Sequence, residues 1–121
     1  MSRDPDKLKV FHRADALVVD VYRVTKRFPA AERYGLQSQL RRAAVSVPTN
    51  IVEGCARAST REYAHFVTVA LGSASEVRYL LGLSARLGLL TQEEVQPLTD
   101  DYTHLLRALQ GLLTALHGAE A

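Results

Sequence analysis

The sequence predicts an all-α protein, an up-down-up-down antiparallel four-helix bundle, on three observations. Apolar residues recur at helical spacing along four successive segments. Short breakers separate those segments, so consecutive helices must pack antiparallel. No stretch alternates with the two-residue rhythm of a strand.

The first segment runs from about Lys7 to Arg27. Val10, Phe11, Ala14, Leu17, Val18, Val21, Val24 and Phe28 share one face, while Lys9, Arg13, Asp20, Arg23, Lys26 and Arg27 share the other. Phe28-Pro29 ends it, because proline pushes the residue before it away from helical geometry. A turn over 30–34 and Gly35 lead into a second helix spanning about Leu36 to Ala56. The third follows Ser59-Thr60-Arg61-Glu62, a capping box in which serine and glutamate each satisfy the other's free backbone donor. Its apolar arc is broad, taking in Tyr63, Phe66, Val67, Val69, Ala70, Ala74, Val77, Leu80, Leu81 and Leu87, and Gly88 stops it. A second capping box, Thr91-Gln92-Glu93-Glu94, opens the fourth helix, whose single stripe runs from Val95 to Leu116. Pro97 lies too deep for its first turn and predicts a kink or a later start.

At 121 residues, 47% hydrophobic and 23% charged, the chain is one soluble domain. Residues 1–6 read as a flexible N-terminus, 7–117 as the bundle and 118–121 as a tail. No apolar run approaches the ~20 residues of a membrane span, and the charged N-terminus is not a secretory signal. One cysteine, Cys55, excludes an intrachain disulfide and fits a reducing compartment, so the expected location is cytoplasmic. Charge is divided unevenly: residues 1–61 carry 12 Lys/Arg against 6 Asp/Glu, and residues 62–121 carry 3 against 7. That dipolar surface suits either a polyanion or a neighbour's opposite side.

The second helix is the most informative element. Leu36, Leu40, Ala43, Ala44, Val47 and Ile51 form one arc facing the bundle core; Val45 and Val52 lie nearly opposite, with Arg41 and Pro48 beside them. Between the arcs lies a polar strip of Gln39, Arg42, Ser46, Asn50 and Glu53. A bundle helix in a monomer needs one apolar side, so the second side points to an oligomer interface formed by Val45, Ser46, Pro48, Asn50, Val52 and Glu53. Gly72 and Ser75 on the third helix would allow close backbone approach, either to a second subunit or within the monomer.

Nucleic-acid contact is the leading chemistry. Arg23, Lys26 and Arg27 share one face of the first helix, and Arg41, Arg42, Arg57 and Arg61 flank the distinctive stretch of the second. With no tryptophan, and tyrosines and phenylalanines expected mostly in the core, such contact would be directed to the backbone. The competing reading is a solvated face with intersubunit pairs to Glu53, Glu62 or Glu76. Glu62-x-x-His65 is half of a di-iron pattern and lacks a second copy, so no metal is expected. Cys55 near Arg57 could carry a somewhat lowered thiol pKa, but no paired histidine is apparent. No phosphate loop or nucleophile elbow is present; the sequence predicts no enzyme and requires no cofactor.

The succession Tyr22, Phe28-Pro29, Glu32, Tyr34-Gly35-Leu36, Gln39-Leu40-Arg41-Arg42-Ala43-Ala44-Val45-Ser46-Val47-Pro48, Asn50-Ile51 and Glu53-Gly54 resembles the bacterial four-helix-bundle proteins encoded in intervening sequences of 23S rRNA genes. Phe66 with Ala70-Leu71-Gly72-Ser73-Ala74 and Glu76 is similar to that family's third helix. The resemblance covers roughly residues 7–117. It implies a bundle assembled as a ring-shaped homopentamer. It also brings in the accessory factor of diversity-generating retroelements, similar in fold, which binds nucleic acid and a reverse transcriptase through basic surface. Two departures stand out: the C-terminal half holds only Arg78, Arg86 and Arg107 as cations, and Cys55-Ala56 replace polar residues after Glu53-Gly54. The function implied is a non-catalytic oligomeric adaptor for RNA, DNA or a nucleic-acid enzyme. The alternative is a protein-interaction ring with no nucleic-acid role.

Overall fold

The computed structural model describes residues 3–120. Within them the chain forms α1 (Lys9–Thr25), α2 (Leu36–Cys55), α3 (Thr60–Arg86) and α4 (Gln92–Glu120), with single 3-10 turns at Pro5–Lys7 and Ala30–Glu32. No strand occurs among the described residues. Each helix packs on the next, and α4 closes back on α1; α2–α3 and α3–α4 are the most extensive pairings, α1–α4 the least.

The helix ends follow from local chemistry. Thr91 and Glu94 form a complete capping box: Glu94 N–H donates to Thr91 Oγ1 (3.2 Å) and Thr91 N–H to Glu94 Oε1 (2.9 Å). The other carboxylate oxygen of Glu94 takes Arg27, which ties the end of α1 to the start of α4. At α3, Ser59 Oγ accepts from Glu62 N–H (3.1 Å), but the Glu62 carboxylate takes the Ser59 hydroxyl (3.2 Å), so the box is only half made. Gly88, with φ +75°, ends α3 in a Schellman motif, in which Leu89 N–H reaches Ser84 O (2.9 Å) and Gly88 N–H reaches Ala85 O (3.0 Å).

Both inner prolines stand inside continuous helices. α4 begins at Gln92 and passes Pro97, so the later start does not occur. In α2, Pro48 leaves the Ala44 carbonyl without its usual N–H partner. Side chains supplement the carbonyls beside it: Thr49 Oγ1 donates to Val45 O (2.7 Å) and Asn50 Nδ2 to Ser46 O (2.8 Å).

The core takes Ala14, Leu17 and Val21 from α1, Leu40, Ala44, Val47 and Ile51 from α2, Tyr63, Val67, Ala74, Val77 and Leu81 from α3, and the predicted stripe of α4. Two α3 assignments are corrected: Val69 is 39% exposed and Leu87 60%. Val69 lies at the edge of too broad an arc, and Leu87 follows the last turn. By length and composition α3 also meets the requirement for crossing a bilayer, with mean hydropathy 1.2 in its most apolar window, contrary to the reading that no run comes near it. Its apolar face is packed against α2 and α4, and Glu76 and Arg78 stand on its length.

Gly54, inside α2, is a point of close approach. α2 continues through it to Cys55, and a Cβ there would stand 3.0 Å from Phe66 Cβ, 3.0 Å from Tyr63 Cδ1 and 3.2 Å from Tyr63 O. Glycine thus sets how near α2 and α3 lie. The start of the chain secures the same end. Arg3 donates to Arg57 O (2.8 Å), Ala58 O (3.1 Å) and Thr60 Oγ1 (3.0 Å), holding the loop between the two helices.

Replacing Gly54 with alanine is expected to destabilise the fold by about 1–3 kcal/mol through overpacking, read as a lower midpoint in chemical denaturation. Unchanged stability would mean that the seam can open freely. Tyr102 gives a second expectation. It is fully buried and its hydroxyl has no hydrogen-bond partner among the described residues, an arrangement that costs ~1–3 kcal/mol. Tyr102→Phe should therefore match or exceed the native melting temperature at neutral pH. Burial, and secondarily Asp20, raises the Tyr102 pKa, and burial raises that of Tyr63 as well. A folded-state pKa above the unfolded value of about 10 gives stability that is intact below that pH and lost as pH rises beyond it. Melting temperature should fall above pH about 10, less steeply in Tyr102→Phe.

Candidate assembly and nucleic-acid surfaces

Three open surfaces adjoin the helices. The first is a groove of about 350 Å³ between α1 and α2, lined by Phe11, Asp15, Val18, Val45, Thr49, Val52 and Glu53, with Pro48 also in its wall. The sequence reading set Pro48 beside the outward valines, whereas the structure buries it. Val45 (39% exposed) and Val52 (44%) do face outward, as their positions opposite the core arc require. On α1 the apolar surface continues through Val19 and Tyr22, both exposed.

The second surface lies between α2 and α3, a polar groove of about 590 Å³. The polar strip of α2 is directed here, towards α3 of the same chain. Ser46 and Ser73 hydroxyls are 2.8 Å apart, Asn50 Nδ2 donates to Ser46 Oγ (2.9 Å), and Gln39 Nε2 donates to Glu76 (3.4 Å). Glu53 pairs with Arg57 one turn on, at 3.2 Å. The strip is therefore joined within one chain. Gly72 and Ser75 lie on the exposed side of α3, with open space where a Gly72 Cβ would stand, so neither serves close packing inside the monomer.

The third, a cleft of about 780 Å³ between α1 and α4, is lined by Arg13, Leu17, Asp20, Asp101, His104 and Arg107 among others. Its residues alternate in charge. Sequence reading did not single it out, because its two walls come from opposite ends of the chain.

The seven candidate cations do not make one patch. Arg23, Lys26, Arg27, Arg41 and Arg42 sit towards the end where α1 finishes and α2 begins; Arg57 and Arg61 flank the α2–α3 loop at the other end, roughly 30 Å away along a 20-residue helix. Several are engaged. Arg41 Nε donates to Thr25 Oγ1 (2.9 Å) and Nη2 to Tyr22 O (3.2 Å), and the guanidinium stacks over the Tyr22 ring at 4.5 Å. It closes the last turn of α1, where carbonyls lack helical partners. Gln37 Nε2 completes this by donating to Thr25 O (2.8 Å). Arg27 holds Glu94, and Arg57 holds Glu53 while lying 4.6 Å from the Phe66 ring centre. Arg23 stands 3.9 Å from Asp20, an exposed contact of little energetic weight. Lys26, Arg42 and Arg61 are exposed and have no ion-pair or hydrogen-bond partner among the described residues.

The aromatic side chains correct the sequence reading. Tyr63 and Tyr102 are buried, but Tyr34 is 89% exposed and Tyr79 60%. Arg33 lies 5.7 Å from the Tyr34 ring centre and Arg86 lies 5.8 Å from that of Tyr79. Tyr34 belongs to the turn before α2, where no periodicity speaks to burial, and Tyr79 falls outside the α3 arc.

Elsewhere the chemistry is structural. Burial pushes the Cys55 thiol up; its hydrogen bond to Tyr63 Oη (3.8 Å) opposes the shift and Asp4 adds to it. The lowered pKa considered from the sequence is thus reversed, because the residue is buried, only 8% exposed. Glu62 is occupied at the α3 cap and His65 is exposed, edge-on to Phe66. No group of three or more His, Cys, Asp or Glu suited to a metal ion occurs among the described residues.

Comparison with known proteins agrees with this architecture. A crystal structure from Bacteroides thetaiotaomicron, described as a protein of unknown function from the S23 ribosomal protein family, superposes with a TM-score of 0.77 at 21% identity. The match covers 86% of this chain and 97% of that one, and shows the shared fold. No curated protein matches the sequence. The family model described as 23S rRNA-intervening sequence protein matches residues 6–111. With the four-helix fold and the motifs of α2 and α3 in place, the chain belongs to the 23S rRNA-intervening sequence protein family.

Proposed function

We propose that the protein is a non-catalytic, self-assembling adaptor of the cytoplasm, which binds RNA or DNA, or an enzyme acting on them, through exposed cations. The observation that carries the assembly half is the α1–α2 seam. Phe11, Val18, Val45 and Val52 leave a largely apolar groove, with Asp15 and Glu53 in its walls, open to water beside exposed Val19 and Tyr22. A second copy of the chain is the occupant proposed, and a closed ring of five is the form the family resemblance favours. Gly72 and Ser75 offer a smooth outer face on α3 for such a neighbour.

The nucleic-acid half rests on Lys26 and Arg42 at one end of the bundle and Arg61 at the other, whose charge no carboxylate within the described chain neutralises. Repetition around a ring multiplies a modest patch, since each phosphate contact releases counterions. A reverse transcriptase or other nucleic-acid enzyme would use the same surface. The second reading, a protein-interaction ring without nucleic acid, draws support from Arg27, Arg41 and Arg57, which are engaged in internal contacts.

Two measurements test the assembly and the nucleic-acid halves in turn. Val45→Glu together with Val52→Glu is expected to reduce the assembly to single chains in sedimentation while keeping the helical circular dichroism; an unchanged assembly would remove the seam from the account. Affinity for unrelated RNA and DNA should fall steeply as salt is raised. For three phosphate contacts on a single strand, the logarithmic slope would be about −2. Negligible binding even at low salt would leave the protein-interaction reading standing.

A further inference from the structure

We infer that the corner where α2 begins and α3 nears its end is a binding site for single-stranded nucleic acid, with Tyr34 and Tyr79 as base-stacking platforms and Arg33, Arg42 and Arg86 as phosphate contacts. The inference deepens the nucleic-acid reading above and rests on it. It replaces an undirected basic surface with one place and one strandedness.

The placement follows from the α2–α3 register. Ser46 meets Ser73 and Gln39 meets Glu76, so the helices run antiparallel with the Tyr34 turn beyond one end of that ladder. Tyr79 lies one turn past Glu76 in the same direction, about 4.5 Å along α3. Both aromatic residues therefore stand at the same end of the same helix pair. Tyr34 and Arg42 also line the groove between those helices, with Ser38, Gln39 and Glu76.

The chemistry is specific in kind. A tyrosine that is 89% exposed gains nothing from the core, and the Arg33 guanidinium, 5.7 Å from its ring centre, leaves most of the ring to solvent. Tyr79 with Arg86 repeats that arrangement. A guanidinium on one side of a ring strengthens stacking of a base on the other and places a cation beside the phosphate that follows. Glu76 is the carboxylate in the groove, and Gln39 donates to it. Glu32 nearby is occupied at the start of α2, where it accepts the Leu36 N–H (3.2 Å). Three arginines against two carboxylates, Glu32 and Glu76, leave the corner net positive. Bases paired in a duplex present no free face to a tyrosine, so the site favours unpaired strands.

The test compares fluorescence anisotropy of a labelled uridine oligonucleotide with that of an RNA duplex of equal length, using the full chain at low salt. The single strand should bind more tightly, and it should quench tyrosine emission, which is readable because the chain has no tryptophan. Tyr34→Ala with Tyr79→Ala should weaken single-strand binding at least 5-fold per tyrosine, on the order of one stacked base each. Duplex binding, sedimentation and helical content should stay unchanged. Tyr34→Phe with Tyr79→Phe should retain affinity, since stacking needs the ring and not the hydroxyl. If the alanine variant binds the single strand as the native protein does, the corner is not the site, although nucleic-acid binding elsewhere survives. If neither strand nor duplex binds the native protein, the broader reading fails with it.

Discussion

The close approach of α2 to α3 is the constraint on which the remaining structure depends. At one end Gly54 lets the helices meet over Tyr63 and Phe66, where a Cβ would stand 3.0 Å from both and force them to give way. Midway the Ser46 and Ser73 hydroxyls meet, and towards the other end Gln39 reaches Glu76. These contacts fix spacing and register together. Because α2 also packs on α1, and α3 on α4, the outer helices take their positions from this central pair.

Beyond those that join α2 to α3, polar groups in this protein fall into two sets. Some close the ends of helices: Arg41 and Gln37 at α1, Glu94 at α4, and Arg3 at the loop following α2. Each satisfies backbone groups that a helix terminus leaves without partners. The others, Lys26, Arg42 and Arg61, satisfy nothing inside the described chain. That division matters more to function than net charge does, because an arginine already holding a carbonyl or carboxylate must be released before it can meet a phosphate.

Much of the fold was legible in the sequence because helical periodicity and capping chemistry are local. The α4 stripe, the Thr91–Glu94 box and the Gly88 stop depend on residues within a turn or two of one another. The α2 arcs were legible for the same reason: Val45 and Val52 had to face away from Val47 and Ile51. What could not be read depends on distant neighbours. Arg41 is committed to α1 by groups 16 and 19 residues back. Ser46 finds its partner 27 residues on, so a strip that suited a neighbouring subunit joins α3 of its own chain. Gly54 is needed for a contact, and spacing alone shows it only as a helix breaker. Tyr34 sits in a turn, where exposure has no periodic signature.

The central claim is that the α1–α2 face is an interface between copies of this chain and that the adaptor works as a ring. The most direct measurement is the mass of the native protein in solution by light scattering at micromolar concentration. The account predicts a discrete assembly near five times the 13.3 kDa of one chain. A mass of one chain, stable across that concentration range, would contradict it.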